Sequence, residues 1–117
     1  MSALLSLKKA LEALETAIEV HLESGLGKRL SLDSSLKEMI ECHLTLILVY
    51  DRNLKSKEPR HLTPILYCLQ EVLKGIREYL PESQDLEERA DLERLWDCID
   101  VFVQDVDRKF GETSKRF

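Results

Sequence analysis

The chain has 117 residues, 44% hydrophobic and 33% charged, with a formal net charge of -5. That length supports one hydrophobic core and is short for two, and the composition suits a folded rather than a disordered chain. Four glycines and three prolines leave few turns for an all-β fold, and the acidic balance argues against general nucleic-acid binding, which favours basic surfaces.

Leu4, Leu7, Leu11, Leu14, Ile18 and His21 or Leu22 recur at steps of three and four, which places them on one face of a helix predicted over residues 3–24. Gly25 and Gly27 supply the left-handed stop after it. Glu12, Glu15, Glu19 and Glu23 form an acidic row that reads as the solvated side, with Lys8 placed to pair with Glu12 one turn on.

A second helix is predicted over 35–55. Ser35 followed by Glu38 has the spacing of a capping box. Leu36, Ile40, His43, Ile47, Tyr50 and Leu54 set the apolar stripe, and Met39, Leu44, Leu46 and Leu48 widen it to roughly 200°, with Val49 beyond, where an ordinary core stripe needs little more than about 100°. This helix is therefore either the most enclosed member of the fold or the bearer of a second contact surface. Leu46 and Val49 are the residues assigned to that surface.

A polar stretch over 55–62 separates it from a third helix predicted over 64–80, with Thr63 as N-cap and Pro64 in the first turn. Ile65, Leu66, Leu69, Val72, Leu73, Ile76, Tyr79 and Leu80 form its stripe, and Pro81 ends it. Gly75 lies at the stripe edge. It costs about 1 kcal/mol of helix propensity against Ala, which marks a place where two helices approach closely. The fourth helix, over 85–110, starts on the cap spacing Asp85 to Glu88, buries Leu92, Leu95, Trp96, Ile99, Phe102, Val103, Val106 and Phe110, and is expected to close at Gly111 with a frayed tail over 111–117.

Four such stripes with short connections predict an all-α fold: a single-domain, antiparallel up-down-up-down four-helix bundle over 1–117, with two hairpins closing only as a dimer as the alternative. In that topology Arg52, Lys55, Lys57 and Arg60 collect at one end and form a candidate anion or partner patch on an acidic chain, although Arg52 and Lys55 also complement the C-terminal dipole of the second helix.

No catalytic, cofactor or metal motif is legible. There is no Glu-x-x-His pair of the di-iron bundles and no Cys-x-x-Cys. Gly25, Gly27 and Lys28 lack the phosphate-loop spacing. His21 and His43, the two helical histidines, are expected as hydrogen-bonded residues at the core edge. Cys42 falls on the polar side of the second helix, at the far edge from the stripe, and Cys68 and Cys98 fall on stripe edges at similar heights, near each other. Three widely spaced cysteines indicate a reducing compartment rather than a secreted disulfide scaffold. The charged start at Lys8 and Lys9 is unlike a signal peptide, and the most apolar run, Leu44 to Tyr50, falls well short of the about 20 residues a membrane span requires.

The expectation is a cytoplasmic, non-enzymatic protein–protein interaction module of the adaptor, small chaperone, inhibitor or immunity type. Its partner is another protein or a second copy in a homodimer. Anion, phosphorylated-ligand or nucleic-acid binding at the basic end is the alternative, and a metal-binding or phosphorelay bundle a further one.

Overall fold

The computed structural model describes residues 2–22, 31–52 and 62–114, with side chains up to 108. It contains four helices, α1 (Ala3–Leu22), α2 (Leu36–Arg52), α3 (Thr63–Tyr79) and α4 (Leu86–Ser114), with a 3-10 turn at Leu80–Glu82. The fold class is all-α, as the periodicity predicts. No described helix is long and apolar enough to cross a membrane.

α1, α2 and α4 start where polar side chains take up free backbone amides. The Ser2 hydroxyl accepts from the Leu5 amide at 3.2 Å, the Ser35 hydroxyl from the Glu38 amide at 3.2 Å, and Asp85 Oδ1 from the Glu87 and Glu88 amides at 2.9 and 3.4 Å. The start of α3 differs from expectation. Thr63 is already helical, and Leu62 occupies the cap position without a side-chain hydrogen bond. The proline in the first turn lowers the need for one, because it has no amide to satisfy. The far end of α4 differs too: the helix passes Gly111 and continues to Ser114. A glycine ends a helix only when its backbone turns left-handed; otherwise it merely weakens it.

The α3–α4 connection is a hydrogen-bonded corner. Glu88 Oε1 accepts from both the Tyr79 hydroxyl and the Ser83 hydroxyl, each at 2.7 Å. Burial, with the Glu88 carboxylate next in weight, pushes the Tyr79 phenol up to about 12. The two helices then run back along each other, with Arg77 stacked 5.7 Å from the Trp96 ring and Leu66 and Leu73 alongside Val103 and Val106. α2 and α4 lie side by side in the same sense: Lys37 reaches Glu87 at 3.6 Å near their starts, and Tyr50 meets Phe102, ring centroids 5.7 Å apart, further along.

The packing order departs from the simplest bundle. α1 packs most extensively on α3, then on α2; α2 packs on α4 and α4 on α3, whereas the consecutive pair α2 and α3 shares no extensive face. Gly75 explains the tight α1–α3 seam. A β-carbon there would stand 3.1 Å from both Cα and Cδ1 of Leu7, so any side chain would push the two backbones apart by a few tenths of an ångström, and glycine allows the closest approach.

One continuous core results, from Leu7 on α1 to Val106 on α4. α2 buries eight residues, more than α1 or α3, because it is enclosed between α1 and α4. The wide stripe is thus spent mainly on enclosure. Tyr50 is fully buried, yet its hydroxyl has no hydrogen-bond partner among the described residues. Burial pushes this phenol up to about 12. A buried hydroxyl without a partner is destabilising, so Tyr50→Phe should raise the unfolding free energy by about 1 kcal/mol in urea melts. The folded state also keeps the Tyr50 proton after the unfolded chain has released it. Its share of stability is complete below the unfolded value of 10.0 and is lost as pH rises toward about 12, a loss that Tyr50→Phe removes.

Candidate functional site

Two features stand out from the core. The first is polar and lies between α1 and α2. Glu15 is 1% exposed and His43 is fully buried, with half-buried Cys42 beside them. The Cys42 thiol donates to Glu15 Oε2 at 3.5 Å, and one ligand atom from each of Glu15, Cys42 and His43 lies within 4.8 Å of the others.

Sequence reasoning misplaced all three. Glu15, read as part of a solvated acidic row, is buried. It stands four residues after Leu11 and three before Ile18, which puts it on the apolar stripe itself. Cys42, read toward the polar side of α2, turns into α1 because α2 is covered from two sides. His43, expected at the core edge, lies inside the core. His21 is half-buried near the end of α1.

The contact of His43 with its own helix selects one tautomer of the neutral ring. His43 Nδ1 bonds the Met39 carbonyl one turn back. A carbonyl only accepts, so Nδ1 carries the proton and Nε2 the lone pair. Nε2 and Glu15 Oε1 are both buried without a hydrogen-bond partner among the described residues. Burial holds His43 below the ordinary imidazole range, outweighing the opposite pull of the Met39 carbonyl, Glu15, the Leu11 backbone and Glu19. Burial likewise pushes the Cys42 thiol up to about 11, helped by its hydrogen bond to Glu15 and the charges of Glu15 and Glu19. A thiol held protonated beside a carboxylate is a poor nucleophile. The arrangement therefore does not resemble a Cys-His catalytic pair. What it offers is one sulfur, one imidazole nitrogen and one carboxylate.

The second feature is apolar. Leu48 and Val101 are 52% and 65% exposed, and both line a groove of about 310 Å³ between α2 and α4, floored by Ile47 and Phe102 and edged by Asp51, Arg94 and Asp97. A larger groove of about 490 Å³ between α3 and α4 contains Trp96, but the Arg77 guanidinium already lies over that ring.

The interface residues read from sequence are only partly at a surface. Leu46 is 3% exposed and belongs to the core; enclosure of α2 by α1 and α4 removes it from any surface. Val49 is half-buried. Leu48, between them, carries the exposure. Of the basic patch, Arg52 is exposed at the end of α2, and Lys55, Lys57 and Arg60 lie outside the described residues. Cys68 and Cys98 are not brought together: Cys68 lines a groove with α1 residues and Cys98 the α2–α4 groove.

Comparison of the chain with protein-family models, curated proteins and solved structures gives no match.

Proposed function

We propose that this chain is a non-enzymatic helical interaction module that self-associates through the α2–α4 groove in a reducing, cytoplasmic setting. The observation that carries the reading is the pair Leu48 and Val101: large apolar side chains from two helices, each more than half exposed, on one groove. Exposed apolar residues are ordinary singly and informative when they converge.

A second copy fits the groove in charge as well as in polarity. Exposed Arg94, held 3.4 Å from Asp91 on its own helix, stands on the groove edge with exposed Asp51 and Asp97, so the edge carries both charge signs, as a self-complementary interface requires. Three free cysteines accord with a reducing compartment.

Light scattering over a wide concentration range tests this. The wild-type mass should rise toward twice the chain mass of 13.6 kDa. Leu48→Glu with Val101→Glu should stay monomeric with unchanged helical circular dichroism, because two charges would be buried unpaired at the contact. A wild-type chain that remains monomeric at high concentration overturns the proposal.

A further inference from the structure

We infer that Glu15, Cys42 and His43 form a binding site for a single zinc-class transition-metal ion, seated between α1 and α2. This is independent of the groove. Three observations on the geometry carry it. The three side chains present sulfur, nitrogen and oxygen ligand atoms within 4.8 Å of one another. Two buried polar atoms in the cluster, His43 Nε2 and Glu15 Oε1, have no hydrogen-bond partner among the described residues. The other histidine nitrogen is held by the Met39 carbonyl, the outer contact by which metal-bound histidines are oriented and kept in one tautomer.

The ligand set selects the class of ion. Thiolate and imidazole disfavour magnesium and calcium, which take oxygen, and favour zinc and its chemical neighbours. A tetrahedral ion has bonds of about 2.0–2.3 Å to such ligands, so binding draws the three atoms together by modest rotamer changes of Glu15 and Cys42. Three protein ligands leave one position for water or a fourth group. Binding breaks the Cys42 S–H···Oε2 hydrogen bond, forms a metal–sulfur bond and releases the thiol proton to solvent. The thiolate and carboxylate together offset the charge of the dication, and the ion satisfies Nε2.

The sequence hid this site because its ligands come from two helices, 27 positions apart between Glu15 and Cys42. Only the pair Cys42-His43 is adjacent, and adjacent helical residues point about 100° apart, which alone suggests no common ligand.

The test uses tag-free full-length protein, stripped with chelator and titrated with cobalt(II) as the spectroscopic probe, then with zinc. The expected result is one cobalt ion per chain, with a sulfur-to-cobalt charge-transfer band and the strong visible bands of a four-coordinate site, both displaced by one equivalent of zinc. Cys42→Ser should abolish the charge-transfer band while circular dichroism remains helical. Glu15→Gln should weaken binding by tenfold or more and keep the band. His43→Asn touches the core; should it fail to fold, the Cys42 and Glu15 variants still decide. Absence of a charge-transfer band in the wild type overturns the inference, as does its loss in Cys68→Ser or Cys98→Ser with retention in Cys42→Ser.

Discussion

Gly75→Val should destabilise the protein by about 3 kcal/mol, the upper part of the usual range for overpacking. The first atom of the new side chain would meet Leu7 Cα at 3.1 Å, and a backbone atom cannot swing aside as a side-chain tip can. The two extra methyl groups of valine then have no room in a seam whose Leu7 is fully buried. Either α1 separates from α3 along their most extensive face or the α3 backbone shifts. Gly75→Ala sharpens the test. Alanine gains about 1 kcal/mol of helix propensity and suffers the same close contact in milder form, so its net effect should be small beside that of valine. Urea denaturation of the three proteins measures both differences. A valine variant as stable as wild type would show that the seam is not close-packed at this point.

Ile99→Ala should cost about 2–5 kcal/mol, as deletions of buried aliphatic side chains do. Ile99 is fully buried on α4, and truncation leaves a cavity whose walls belong to helices held elsewhere along their length. Set against a total stability of roughly 5–15 kcal/mol for a domain, that loss lowers the melting temperature by about 4 °C per kcal/mol at this chain length. Ile47→Ala, 3% exposed on α2, should behave alike. Half-buried Val49 provides the contrast: Val49→Ala should cost less than about 1 kcal/mol in dilute protein, since it removes less buried surface. Equal losses at Ile99 and Val49 would place Val49 as deep in the core as Ile99.

The helices were legible from their periodicity, with caps and breakers in agreement at most ends: Ser35 and Asp85 cap where the spacing put them and Pro81 falls in the turn that follows α3, whereas Thr63 and Gly111 do not act as cap and stop. Gly75 was legible as a close approach because a mid-helix glycine otherwise only weakens the helix. The neighbour order was not. Nothing in the stripes says that α1 prefers α3, and without that order Leu46 could not be told from a surface residue. Glu15 was misread for a different reason. Its charge type matched Glu12 and Glu19, while its position matched Leu11 and Ile18, and position decides burial once α2 covers that face. The cost of burying a carboxylate makes the charge-based reading the natural one, and the partners on α2 that make burial tolerable are invisible until the helices are placed.

The α1–α3 seam also bears on how the chain leaves the ribosome. Leu7 is made 68 positions before Gly75, so the apolar face of the first helix waits several seconds for its main cover at synthesis rates of roughly 5–20 residues per second. During that interval α2 is the only other described helix made, and it covers only part of that face. The nascent segment that precedes Gly75 is therefore the stage at which this protein depends most on protection from aggregation.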